Sequence, residues 1–215
     1  MDDIVKRAML KWPTVPHCYG WLALDARGNW RMRDEHAQHA NLPGDKIVHT
    51  ALLAFINRNY GCDEAGRWYF QNGPQRVFVN LEATPFIART DPLHAFLLHT
   101  GAVMTPIDAV WLTDSGRVIF ESAGRVALLD DRDTAQCLGM IYVDVGADAD
   151  VDADGNVDAI SDDLLLEWIA SAGTSASLVM MVGDQAISVG WRDEQRLAKE
   201  SGFVQIPLPD QGTGS

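Results

Sequence analysis

Gly66–Glu82 reads GRWYFQNGPQRVFVNLE, and Gly116–Asp131 reads GRVIFESAGRVALLDD. Set one under the other, Gly66-Arg67 falls on Gly116-Arg117, Phe70 on Phe120, Arg76-Val77 on Arg125-Val126, and Val79 on Leu128. Between the Phe and the Arg stand QNGPQ in one stretch and ESAG in the other, both rich in residues that turn a chain. Apolar residues alternating on either side of a turn predict a β-hairpin. Two such stretches predict a repeated hairpin unit, and Gly28-Asn29-Trp30 resembles the Gly66-Arg67-Trp68 start closely enough to suggest a partial third copy.

Outward from the hairpins, the spacing of Val48, Ala51, Leu52, Phe55 and Ile56 predicts a helix over 46–59 with one apolar stripe. Asp45 is placed to cap its start, and Arg58 and Gly61 suit its end. Shorter helices are expected at 2–11, 132–138, 162–170 and 192–200, the first ended by Trp12-Pro13. Strands are expected at 19–24, 29–33, 94–100, 140–145, 177–182, 186–189 and 203–206. Val77, Val79 and Leu81 share one strand face, which can cover the 46–59 helix. Strands adjoin strands without a steady strand–helix alternation. This predicts an α+β fold of antiparallel hairpin units, with short helices packed against the sheets. Expected domains are an N-terminal α+β unit over 1–92 and a C-terminal one over 93–206, followed by a disordered tail at 207–215.

The run from Asp25 to Trp30 (D-x-x-G-x-W), an apolar helix, and then GRWYF…RVFVNLEATPFIA from Gly66 to Ala88 resembles a group of bacterial proteins known as domains of unknown function, family 1285 of that series. Its pattern is Gly-Arg-Tyr, a Pro-containing turn, and Val-x-Val-Glu-(Asp/Ala)-x-Pro-Phe, and the overlap covers residues 20–90. The resemblance implies a soluble α+β protein with repeated β-rich motifs and a regulatory or signalling role. It supplies no catalytic residues. The Asp-rich C-terminal half of this chain departs from that pattern.

Composition narrows the function classes. The chain of 215 residues carries 30 acids against 17 bases, a formal charge of −13. Such a surface repels phosphate backbones and anionic lipids, so neither nucleic acid nor a membrane is expected as a partner. The main basic cluster, Arg27, Arg31 and Arg33, is broken by Trp30 and followed by Asp34-Glu35, and it reads as a strand with a solvated face. No stretch is apolar enough for a membrane span, and the start MDDIVKRAMLKW lacks an apolar signal core, so a cytoplasmic location is expected. Three isolated cysteines (Cys18, Cys62, Cys137) suggest neither a disulfide framework nor a zinc knuckle.

The strongest chemical pattern is Asp144–Asp163, DVGADADVDADGNVDAISDD, with eight Asp. Asp150, Asp152, Asp154 and Gly155 fit the D-x-D-x-D-G opening of a calcium loop, with Asp158 on a further ligand position. Position twelve, which should be a bidentate Glu, is Ser161. The segment before the loop reads as a strand rather than a helix, and Ser161 serves better as the cap of the next helix. The pattern therefore favours a solvated acidic loop over a calcium site. His36 and His39 share a helical face beside Glu35 but make no HExxH, and His94 and His99 fall on opposite faces of a strand. Nucleophile elbows and glycine-rich phosphate loops are missing, and Trp21, Trp30, Trp68 and Trp111 read as core rather than as a binding groove.

These readings point to a non-enzymatic binding or regulatory protein taking a small molecule or a protein partner. The alternatives are a calcium module through Asp150, Asp152, Asp154 and Asp158, or an enzyme using Glu35, His36, His39 or His99. The solvated-loop reading predicts the same melting temperature in millimolar calcium and in chelator. A rise with calcium would place an ion on the folded state.

Overall fold

The computed structural model describes residues 1–12, 15–144 and 159–209. In chain order the elements are α1 (Asp3–Lys11), β1 (Cys18–Leu24), β2 (Trp30–Met32), α2 (Glu35–His39), β3 (Asp45–Lys46), α3 (Thr50–Arg58), β4 (Tyr60–Cys62), β5 (Trp68–Asn72), β6 (Gln75–Leu81), β7 (Phe86–Asp91) and β8 (Ala95–Leu98). Then come β9 (Ala109–Thr113), β10 (Val118–Ser122), β11 (Arg125–Leu129), α4 (Thr134–Leu138), β12 (Ile141–Val143), α5 (Asp162–Ala170), β13 (Leu178–Val182), β14 (Gln185–Arg192) and α6 (Glu194–Glu200). The fold is α+β, in two compact units: residues 1–85 with 198–215, and residues 86–197. The second unit begins at Phe86 rather than at 93, and the chain returns to the first unit at Ala198.

The first unit is built on a six-stranded sheet in the order β3-β2-β1-β6-β5-β4. Its hairpins are antiparallel, as the turn chemistry predicts, but β1 and β6 lie parallel, with Leu22 beside Val79, Ala23 beside Asn80 and Leu24 beside Leu81. The sheet is therefore mixed. Paired residues share a face, so Leu22, Leu24, Trp30, Val79 and Leu81 collect on one side, all buried. Helix α3 lies against β5, where Phe55 meets the Phe70 ring edge-on at 5.3 Å. The helix is shorter than its apolar spacing suggests. Asp45-Lys46 pair with Met32 and Arg31 as a strand, and His49 rather than Asp45 caps the start, its Nδ1 accepting from Leu52 N–H at 3.2 Å. Val48 falls before the first turn and is 75% exposed.

The second unit holds an eight-stranded sheet in the order β12-β13-β14-β9-β10-β11-β7-β8. It too is mixed, with β7 parallel to β11 and β9 parallel to β14. Helix α5 is capped as its sequence implies, Ser161 Oγ accepting from Leu164 N–H at 3.4 Å, and it buries Leu165 and Trp168. The 203–206 stretch is not a strand. It makes a single parallel bridge from Val204 to Arg67, while Leu81 N–H donates to Gln205 O at 2.8 Å.

One loop geometry recurs. At Asp25–Asn29, Asp63–Arg67 and Thr113–Arg117, the first residue's N–H donates to the fifth residue's carbonyl, and the fourth residue, a glycine at φ +77°, donates back to the first. Only glycine takes that left-handed backbone without cost. Asp25, Asp63 and Thr113 each also accept the fifth residue's N–H on a side-chain oxygen. The two-residue hairpin turns that follow are Gly73-Pro74 and Ala123-Gly124. They have equal length, so Arg76 stands opposite Gln71 while Arg125 stands opposite Ser122. The two arginines matched by sequence thus occupy different rungs, and a one-residue slip reverses the face.

Asp130 ties β7 to β11. It is fully buried, its N–H donates to Ala88 O at 2.8 Å, and its carboxylate takes both Nε and Nη2 of Arg132, with Arg89 Nε at 3.7 Å. Burial pushes the carboxyl up, but the hydrogen bonds and charge of Arg132 outweigh it and hold it at about 2, below the ordinary 3.8. A lowered carboxylate stabilises the fold fully above its unfolded value, and the benefit is lost as pH falls through about 2. Asp130→Asn should lower the urea midpoint at pH 7, and the gap to the native protein should close toward pH 2. A gap unchanged with pH would deny the carboxylate this role.

Candidate functional site

In the first unit, three neighbouring rungs place Arg31, Ala23 and Asn80 side by side across β2, β1 and β6. They share the face opposite Leu22, Leu24, Val79 and Leu81. Ala23 is too small to fill the space between its long neighbours, and a cleft of about 410 Å³ opens there. Asp25 and Glu82 stand at the ends of β1 and β6, Asn41–Pro43 make one wall, and Gln205-Ile206 another. The volume lies in the range of small-molecule sites.

Two arginines enter this cleft with different electrostatic standing. Arg31 is matched: its Nε donates to Asp25 Oδ2 at 2.8 Å and its Nη1 to Gly44 O at 3.1 Å. Burial raises the Asp25 carboxyl, but the Asn29 and Arg27 backbone N–H groups, the Asn29 amide and Arg31 together bring it below the usual carboxylate range. Asp25 is ionised, and the pair is neutral overall.

Arg33 is not matched. It is 7% exposed, its Nε donates to Leu42 O at 3.0 Å, and its Nη2 reaches Ala37 O at 3.3 Å and Asn41 Oδ1 at 3.4 Å. No carboxylate pairs with it among the described residues, and its Nη1 makes no bond there. Neutral carbonyl oxygens satisfy donors but leave the unit charge uncompensated, and a buried charge is costly unless paired. The sequence reading of Arg27, Arg31 and Arg33 as a solvated face is therefore corrected at Arg33, while Arg27 is exposed and Arg31 half-buried. Arg33 N–H donates to Trp21 O at 2.9 Å just beyond β2, and the 34–44 segment folds over the side chain. Alternation along a short strand gave no sign of this, because what covers Arg33 is a loop. The signal available was the Pro43-Gly44 pair after a capped helix, Asp34 accepting from Ala37 N–H at 2.7 Å.

Gly44 fixes how closely that loop approaches. Its φ is +81°, and a Cβ there would lie 2.3 Å from Met32 O and 2.8 Å from Arg33 Cγ. Only glycine fits.

The other candidates stand apart from the cleft. His36 and His39 are exposed on α2, where His39 Nδ1 contacts Glu35 O at 2.6 Å, and Glu35 is exposed beside them. His99 follows β8, its Nδ1 accepting from Ile87 N–H at 3.2 Å, and His94 pairs with Asp91 at 2.7 Å. No group of three or more metal-ligating side chains converges among the described residues. Asp150, Asp152, Asp154 and Asp158 lie outside them. All three cysteines are free. A second concavity near the Asp63 turn includes Cys62, whose thiol is pushed up by burial and the Asp63 charge. Burial pushes Cys137 up to about 12. No helix among the described residues is long and apolar enough to cross a membrane.

The family model DUF2944, described as a protein of unknown function (DUF2946), matches residues 1–208. The chain belongs to this family. Two solved structures similar to it are DUF1285 family proteins, the group that the Gly66–Ala88 stretch resembles. One is from Silicibacter pomeroyi DSS-3, with TM-score 0.43, 14% identity, and 62% of this chain and 76% of that chain covered. The other is from Shewanella baltica OS155, with TM-score 0.38, 14% identity, and 54% and 88% covered. No curated protein matches the chain.

Gly44→Ala should cost about 1–3 kcal/mol of stability, because the added methyl meets backbone and the left-handed φ penalises it. Urea unfolding measures this, and a variant as stable as the native chain would show that the loop does not clamp Arg33.

Proposed function

We propose that this chain is a non-enzymatic, cytoplasmic binding protein whose ligand is a small molecule carrying an anionic group, held in the Arg33 cleft. The observation that supports the reading is the buried Arg33 guanidinium with no carboxylate partner among the described residues, facing a cleft of ligand size. With Nε and Nη2 engaged by the loop, a charge-assisted hydrogen bond from Nη1 is the form in which this guanidinium takes a carboxylate or phosphate. The loop that binds Nε and Nη2 holds the group ready, so little order has to be gained on binding.

Binding is favoured over catalysis by what lines the cleft. None of the described lining residues is a hydroxyl, thiol, imidazole or lysine side chain. Asp25, the nearest candidate base, is engaged with Arg31, Arg27 and Asn29. A regulatory role follows as the use such a module would have, in line with the family resemblance of the β-rich stretch.

Ala23→Leu tests the site without touching a charge. Leucine at the floor should fill the cleft while keeping the strand. Small carboxylates that raise the melting temperature of the native chain should then lose that effect at least tenfold in apparent affinity. Equal shifts in both proteins would place binding elsewhere.

A further inference from the structure

Within the cleft, one cation and one anion are left over. Arg31 and Asp25 neutralise each other at 2.8 Å. Arg33 has no carboxylate partner, and Glu82, also lining the cleft, has no cationic partner among the described residues. Among the described residues Glu82 accepts only the Ala26 N–H, on Oε2 at 3.1 Å. The complement of such a site is a zwitterion. A simple anion would meet Asp25 and Glu82 within a chain already at −13, which penalises phosphates and dicarboxylates.

The register sets the spacing. Arg33 stands level with Trp21, to whose carbonyl it donates, and Glu82 stands level with Asp25, one step beyond the Leu24–Leu81 pair. Four residues along the strand at ~3.3 Å each, and two strand spacings of ~4.8 Å, put their backbones roughly 16 Å apart. Each head has its own contacts: the Leu42 and Ala37 carbonyls take Arg33, and the Ala26 N–H donates to Glu82. A free amino acid carries both charges on one carbon and is too short. Between the two ends stands the Asn80 amide, which pairs with peptide N–H and C=O groups, while Gln205 lines the cleft with its Nε2 donated to Ala83 O at 3.3 Å.

We propose that the cleft binds a short peptide with free termini, its carboxylate on Arg33, its ammonium on Glu82, and its amide on Asn80. This rests on the reading of the cleft as an anion-binding site and names the ligand class.

The test is calorimetric titration of the full chain with four probes: alanyl-alanine, its N-acetyl derivative, its C-terminal amide, and free alanine. The expected result is binding of the dipeptide, with each blocked form and free alanine at least tenfold weaker. In Glu82→Gln, an exposed substitution that leaves the fold alone, the free and acetylated dipeptides should bind equally. If the acetylated dipeptide binds the native chain as well as the free one, the ammonium site is overturned while the anion reading stands. If alanine matches the dipeptide, the spacing argument is overturned. If no carboxylate binds, both readings fall.

Discussion

The parallel pairing of β1 with β6 is the constraint on which the first unit turns. It joins two hairpins that local chemistry would form separately, and it buries Leu22, Leu24, Val79 and Leu81 on one side of the sheet. The same register places Ala23 beside Asn80 on the other side and brings Asp25 level with Glu82. Side-chain period is two, so one shift of a residue would exchange the apolar set for the polar one. Core and cleft are thus two faces of one hydrogen-bonding register.

What was legible in the sequence was local. Glycines at 28, 66 and 116 mark turns whose backbone only glycine takes easily, and the structure gives them the same φ. Helices α1 and α5 follow from Trp12-Pro13 and Ser161, an end signal and a start signal. The α+β class followed from strands adjoining strands. The parallel pairings were not legible, since β1 and β6 lie more than fifty residues apart and nothing in either strand names its partner. Nor was the alignment of the two hairpins: QNGPQ against ESAG invites a one-residue gap, whereas both turns use two residues and the rungs count evenly.

The cleft was missed for a related reason. Arg31 and Arg33 read alike in a basic cluster, yet one is tied to Asp25 by the turn and the other is covered by a loop that closes through Gly44. Burial by a loop leaves no periodic trace. The Asp-rich segment, which carried the most conspicuous chemical pattern, lies largely outside the described residues. The chemistry instead collects where three strands set an alanine between longer polar neighbours, in a family whose function its name leaves open.

The central claim is that the Arg33 charge is kept for a ligand and not balanced by the chain itself. A crystal structure of the protein soaked with its tightest-binding compound tests this most directly. The account predicts a ligand carboxylate within about 3 Å of Arg33 Nη1, with Leu42 and Ala37 carbonyls still on Nε and Nη2. A carboxylate from the chain itself on Nη1, with the compound elsewhere, would contradict it.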